Sequence, residues 1–169
     1  AIYKEALQLI SDESPMAFVL HPYTLTGVSD KVSGFNVGTD SAVANVTINS
    51  SVDQALLISS GSYKIIVNKG SSLVVNLDNA SWMAVRFSHR ETCNLNVYGT
   101  FITNGVLSGY RYHAYSVYEG GSFTCGAYNN GQGHEIRVEG GVMNVTGNLV
   151  QTKNSKVTVA AGGTLNVGG

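Results

Sequence analysis

Residues 140–147 read GGVMNVTG, and residues 161–168 read AGGTLNVG. In each phrase, glycine precedes a short segment in which an apolar, a polar and an apolar residue follow one another. This alternation has the period of two that is typical of a β-strand with one buried face. The glycines suit a corner that needs a positive φ or a close approach between backbones. The two phrases therefore predict short strands joined at glycine corners.

The apolar–polar–apolar triplet recurs through most of the chain. It stands, with an apolar Val74 in the middle of the first copy, at residues 73–75, 95–97, 123–125, 143–145 and 165–167. A unit that recurs at such intervals is typical of a solenoid, in which each repeat buries its apolar residues by stacking on its neighbours. The sequence predicts an all-β fold, a single-chain β-solenoid with rungs of about 20–24 residues.

Aligning the rungs on the triplets makes three further predictions. The interval between the second and third triplets is the longest, and it includes residues 108–118, which we interpret as an inserted loop. Glycine stands two positions before the triplet at Gly121, Gly141 and Gly163, where it would form a corner. The middle residues of the triplets form one outward column in which stacked amides and hydroxyls hydrogen-bond. The members of that column are Asn96, Thr124, Asn144 and Asn166.

The repeats predict two regions. Residues 48–169 are the solenoid repeats, and residues 1–47 are an N-terminal cap or transition region. Within the latter, Ile2, Ala6, Leu9 and Ile10 have helical spacing and predict a short helix over residues 1–10. The last phrase stops within a repeat, so we expect the repeats to continue beyond the C-terminus.

The composition argues against several kinds of partner. Charged residues make up 12% of the 169 residues, and the formal net charge is −1. Such a chain offers no electrostatic attraction for nucleic acid or for an anionic membrane surface. Its apolar runs are too short to cross a bilayer. We therefore predict no nucleic-acid partner and no membrane insertion of this segment.

The two cysteines, Cys93 and Cys125, are compatible with a disulfide in an exported protein. In the triplet alignment they occupy different columns, and Cys125 faces the core. That register favours a free, buried thiol at Cys125. Whether the two cysteines pair stays open at this stage.

The phrases at residues 140–147 and 161–167 resemble the rungs of bacterial autotransporter passengers and related adhesins. These proteins are right-handed parallel β-helices of the pectin-lyase-like class, and the resemblance covers residues 48–169. It implies a structural or adhesive segment of an exported bacterial or phage protein, located outside the cell or at its surface. The expected partners are a glycan or a host-surface protein.

A carbohydrate-active enzyme, similar to polysaccharide lyases or hydrolases, is the alternative function. Residues 131–137, GQGHEIR, are similar to the Gly-His-Gly and Arg-x-Lys elements of galacturonan hydrolases. The chain contains neither an Asn-Thr-Asp phrase nor an Asp-Asp pair to supply two carboxylates. We therefore predict no catalytic residue, and a glycine-rich turn that enters a strand is the alternative interpretation of this segment.

Two sets of residues are candidates for a metal site. Glu91, Glu119 and Glu139 each stand four positions before a triplet, and stacked carboxylates would hold Ca²⁺ or else point apart into water. The histidines at 89, 113 and 134 recur near the rung period but fall in different columns, which argues against a metal ladder. Apart from this Ca²⁺ hypothesis, we predict no cofactor.

Tyrosines crowd the predicted loop. They are interspersed with a cation and an imidazole, and tyrosine rings present flat apolar faces that stack on sugars or partner proteins. We predict a ligand-binding site here, and the alternative is that the rings only cover the side of the coil. The predicted site consists of Tyr110, Arg111, Tyr112, His113, Tyr115 and Tyr118.

Overall fold

The structure is a computed structural model that describes residues 23–27, 31–89 and 92–169. All the regular secondary structure in these ranges is β. The strands are β1 (Tyr23–Gly27), β2 (Lys31–Val37), β3 (Asn45–Ser50), β4 (Leu56–Val67), β5 (Ser72–Leu77), β6 (Val85–Phe87), β7 (Cys93–Val97), β8 (Thr100–Thr103), β9 (Val106–Gly109), β10 (His113–Tyr118), β11 (Ser122–Cys125), β12 (Ala127–Asn130), β13 (Glu135–Glu139), β14 (Val142–Val145), β15 (Leu149–Gln151), β16 (Lys156–Val159) and β17 (Thr164–Val167).

No helix in the described part of the chain is long and apolar enough to cross a membrane. The helix predicted for residues 1–10 lies outside the described residues.

The strands stack in three sheets. The first sheet has the order β1-β3-β5-β8-β11-β14-β17, and the second has the order β16-β13-β10-β7-β4-β2, with β6 beside the first part of β4. The third sheet has the order β15-β12-β9. All the ladders between these strands are parallel. From β7 onward the chain passes through the second, the first and the third sheet in that order. The predicted all-β solenoid with stacked parallel strands is confirmed.

The rungs begin earlier than the sequence predicts. β1 pairs with β3, and β2 pairs with β4, so residues 23–47 already contribute strands to the stack. The stack therefore extends ahead of the predicted boundary between residues 47 and 48. The ladder between β2 and β4 changes register on either side of Ser33. Such irregularities take the sequence out of phase with the later repeats.

One triplet lies in a different sheet from the one that the sequence predicts. In the first sheet Leu73 stacks on Phe101, and Phe101 stacks on Phe123. The triplet at residues 95–97 lies instead in β7 of the second sheet, where Leu95 stacks on Tyr115. Along the first sheet, the interval from Leu73 to Phe101 is longer than the interval from Phe101 to Phe123. The rung between Leu73 and Phe101 is therefore longer than the predicted length.

Residues 108–118 are consequently not an inserted loop. They contain the end of β9 and the whole of β10, which pair with neighbouring rungs in the ordinary way. The extra length lies before β7, in the segment that includes β6. Asn96 also leaves the predicted outward column, because it pairs with Ser116 in the second sheet.

The remaining members of that column do form a ladder. The Nδ2 of Asn166 donates to the Oδ1 of Asn144 at 2.8 Å, and the Nδ2 of Asn144 donates to the Oγ1 of Thr124 at 3.4 Å. On the inner side, the rings of Phe101 and Phe123 lie 5.0 Å apart between centroids. Burial of each such side chain contributes roughly 1.5–3 kcal/mol, so the stack is stabilised mainly from within.

The predicted glycine corners are places of close backbone approach. A Cβ on Gly121 would lie 2.6 Å from the carbonyl oxygen of Val97. A Cβ on Gly141 would overlap the carbonyl oxygen of Tyr118. The preceding residue, Gly120, has a φ of +79° and space around it. The corner thus needs two glycines for two different reasons.

Both cysteines are free and buried. Cys93 lies in the second sheet and Cys125 in the first, so no disulfide joins them. Burial raises the pKa of the Cys93 thiol to about 11 and that of Cys125 to about 12. Both side chains therefore act as small apolar core residues.

Candidate functional site

The corner between β9 and β10 carries two exposed aromatic rings. Tyr110 is 52% exposed and Tyr112 is 60% exposed. The turn is closed by the His113 N–H, which donates to the Tyr110 carbonyl oxygen at 2.9 Å. Tyr112 has a φ of +66°, a conformation that costs a non-glycine residue energy and often marks a functional position. The guanidinium of Arg111 lies 5.4 Å from the centre of the Tyr112 ring, within cation–π range.

Tyr110 forms one wall of a groove between β6 and β9, which we call the β6–β9 groove. β6 pairs with β4, and the bridge between Met83 and Val106 joins its approach to β9. Beyond that bridge the two segments diverge and leave a cavity of about 500 Å³. Its lining consists of Met83, Arg86, Phe87, Ser88, His89, Ser108, Gly109, Tyr110 and His113.

Tyr112 borders a second groove on the outer face of the second sheet, which we call the sheet groove. Its volume is about 440 Å³. Its lining consists of Thr92, Asn94, Tyr112, His113, Ala114, Gly133, Glu135, Arg137, Asn154 and Lys156.

Two of the charged side chains of the sheet groove pair with each other. The Arg137 guanidinium donates to the Glu135 carboxylate at 2.6 Å. This hydrogen bond lowers the pKa of Glu135 and raises the pKa of Arg137. Both side chains are partly exposed, so the pair contributes little to stability.

His113 lies at the border of the two grooves, but its ring is committed to the fold. The Tyr110 N–H donates to its Nδ1 at 3.3 Å, so the proton is on Nε2, which donates to the His89 carbonyl oxygen at 2.7 Å. Burial lowers the pKa of His113, which is consistent with a neutral ring. The side chain predicted as a ligand contact therefore positions the corner that carries Tyr110.

The predicted cluster of four tyrosines is divided among separate places. Tyr115 is 1% exposed and its hydroxyl donates to the Ser108 carbonyl oxygen at 3.0 Å, so the prediction that it belongs to a surface site is wrong. Tyr118, at the far end of β10, stacks on Tyr98 with ring centroids 4.3 Å apart. The structure thus leaves Tyr110 and Tyr112, with Arg111, at the exposed corner.

A buried polar cluster lies beneath the corner. The Tyr128 hydroxyl and the Nε2 of His134 are 2.5 Å apart, while the Nδ1 of His134 and the Oδ1 of Asn130 have no hydrogen-bond partner among the described residues. Burial lowers the pKa of His134 to about 3 and raises the pKa of Tyr128. Gly109 makes room for the imidazole, because a Cβ there would overlap the His134 ring.

The sequence reasoning misses this cluster because its alignment places His113 and His134 in different columns. Ala114 pairs with Glu135 in the second sheet, so the two preceding histidines lie side by side with ring centroids 6.5 Å apart. The signal that could have found them is their spacing along the chain, which equals that between Tyr115 and its partner Ile136.

The glutamates predicted as a column do not form one where they are described. Glu139 pairs with Tyr118, whereas Glu119 lies beside Gly140. Glu91 lies outside the described residues. Among the residues that the structure describes, no three His, Cys, Asp or Glu side chains come together as a metal site.

The chain matches no protein-family model, and no curated protein or solved structure is significantly similar to it. Function is therefore inferred from the exposed corner and its two grooves.

The segment GQGHEIR lacks the features of a carbohydrate-cleaving site. His134 is buried in the core, and the carboxyl of Glu135 has a lowered pKa because of Arg137. A general acid in glycoside cleavage needs a carboxyl whose pKa is raised. A turn that enters β13 accounts for this segment.

Proposed function

We propose that this chain is a structural β-solenoid segment of an exported bacterial or phage surface protein, and that it binds glycans at the corner between β9 and β10. The observation that carries the proposal is the pair of exposed tyrosines on this corner. Each ring is more than half exposed, and each lines a groove that also contains polar side chains. Flat apolar rings stack on the faces of sugars, while polar groups beside them select the hydroxyls.

The scaffold around the corner supports this function. β9 pairs with β12, and β10 pairs with both β7 and β13, so the corner is fixed at both ends by regular strands. The Tyr110 N–H donates to the His113 ring, and the Tyr110 carbonyl oxygen accepts from the His113 N–H. Sites held on rigid elements lose little entropy when a ligand binds.

A glycan-array screen tests the proposal. We expect the wild-type chain to bind a defined subset of glycans, and Tyr110→Ala/Tyr112→Ala to weaken that binding about tenfold, because each ring contributes roughly 0.5–1.5 kcal/mol of stacking. The matched control is Tyr98→Ala, which removes an exposed ring that follows β7, at the opposite end of these strands from the corner.

The control should bind as the wild type does, and all variants should retain the thermal unfolding midpoint of the wild type to within a few degrees. Glycan binding that survives the double substitution, or an array with no bound glycan, contradicts recognition at this corner.

A further inference from the structure

The two grooves differ in the arrangement of their charges. Among the described residues that line the β6–β9 groove, the one formally charged side chain is Arg86, and the others are neutral polar, aromatic or thioether groups and two imidazoles. The sheet groove, in contrast, contains the carboxylate of Glu135 together with Arg137 and Lys156. Both linings therefore carry a formal charge of +1, but only in the β6–β9 groove does the positive charge have no carboxylate beside it in the lining. Its guanidinium is thus available to an anion.

Arg86 is placed to receive such an anion. It lies at the centre of β6, where its neighbours Val85 and Phe87 are buried and its own side chain is exposed. It forms no ion pair with any carboxylate in the described part of the chain. A guanidinium in this state can donate two parallel hydrogen bonds to a carboxylate or a sulfate ester.

The rest of the lining suits a sugar ring. Tyr110 supplies an exposed aromatic wall, and Phe87 lies almost fully buried at the groove. Ser88 and Ser108 lie on the two sides of the groove, one after β6 and the other in β9. The Ser88 hydroxyl donates to the Ile58 carbonyl oxygen at 3.2 Å, so it can only accept a hydrogen bond from a sugar hydroxyl. A volume of about 500 Å³ falls within the range of small-molecule sites.

We propose that the β6–β9 groove binds an anionic sugar unit, with Arg86 holding its carboxylate or sulfate and Tyr110 stacking on its ring. This inference rests on the proposed glycan binding and specifies the class of glycan. His113 takes no direct part, since both its ring nitrogens are bonded to backbone atoms of Tyr110 and His89.

The test compares three ligands by NMR-detected titration of the full chain. Methyl glucoside, methyl glucuronide and methyl glucoside 6-sulfate share one ring and differ at carbon 6. We expect at least one of the two anionic ligands to bind about tenfold more tightly than the neutral one, as is typical of a charge-assisted hydrogen-bonded pair. This preference should shrink as NaCl screens the interaction.

Two substitutions locate the preference. Arg86→Gln should reduce the affinity for the anionic ligand to that for the neutral one and leave the latter unchanged. Arg137→Gln, which removes a guanidinium from the sheet groove, is the matched control and should leave the preference intact. Comparing the glucuronide with the 6-sulfate shows whether the groove prefers a carboxylate or a sulfate ester. A preference for either one over the neutral glucoside supports the proposal.

Three outcomes overturn it: equal binding of all three ligands, a preference that survives Arg86→Gln, or array binding confined to neutral glycans. In each of these cases glycan recognition by the tyrosine corner still stands. If instead no glycan binds in the array or in solution, the proposed function fails together with this inference.

Discussion

At the scale of single residues, His134 shows how the solenoid holds a polar group in its core. Its imidazole is fully buried, and its Nε2 shares a hydrogen bond with the Tyr128 hydroxyl, whose pKa is raised by burial. The groups that face it include the ring of His113 and the aromatic edge of Tyr115, and Glu135 follows it in the chain. Charging this ring would place a cation in the core, so the neutral form is strongly favoured.

This burial makes stability depend on pH. The folded-state pKa of His134 is about 3, and that of an unfolded histidine is about 6.5. Between these values the unfolded chain binds more protons, so the free energy of unfolding falls as the pH falls, by up to about 1.4 kcal/mol per pH unit. The lowered pKa values of His113 and of Glu135 act in the same direction.

Urea unfolding at about pH 7 and about pH 5 measures this loss. In His134→Gln the difference between the two pH values should be smaller than in the wild type, because the titrating group is gone. An unchanged pH dependence in His134→Gln would show that this imidazole is not the group that titrates.

At the scale of strands, the sequence predicts which faces are buried but not which strand lies beside which. The alternation at residues 93–97 correctly indicates a half-buried strand. The same alternation occurs in the first sheet and in the second, so the triplet pattern aligns Leu95 with Phe123 although its partner is Tyr115. The register between rungs decides which strands pair, and the alternation of apolar and polar residues within one strand contains no information about that register.

That single misplacement explains most of the other errors. It makes β10 a loop, and it makes Tyr115 a surface residue although β10 is a strand that is buried from His113 to Val117. It also separates His113 from His134. Where the triplets are aligned correctly, as in β11, β14 and β17, the predicted stacking and the Asn144–Asn166 contact are both confirmed.

The corner before β11 gives a test at this scale. Gly121→Ala should destabilise the fold by about 2–3 kcal/mol, because its methyl group meets the backbone carbonyl of Val97, which cannot move without breaking the rung. Gly120→Ala adds the same methyl group one residue earlier, where space is open and only the positive φ is unfavourable, so it should cost about 1 kcal/mol.

Thermal or urea unfolding of the two variants measures the difference. If Gly120→Ala lowers the free energy of unfolding as much as Gly121→Ala does, the need for glycine at this corner comes from backbone conformation and not from close packing between rungs.

At the scale of the whole molecule, the candidate site exists only because successive rungs stack. Residues 83–89 and 108–113 belong to different rungs, and the groove appears where β6 follows β4 and diverges from β9. Nothing in the local pattern around β6 marks this divergence. The crowding of tyrosines near residue 110 does point to the corner that carries the two exposed rings, but the groove beside it and the position of Arg86 require the fold.

The parallel ladders have a mechanical consequence. Strands in every rung lie across the long axis of the stack, so their interstrand hydrogen bonds run along that axis. A force that pulls the two ends apart therefore loads one rung at a time, and the rungs should detach from the end of the stack one after another.

In single-molecule stretching we expect a series of small rupture events, each of which releases a single rung. At about 3.6 Å per extended residue, a rung of the predicted length or slightly more lengthens the chain by roughly 7–10 nm. A single large rupture that releases the whole chain would show that the rungs yield together.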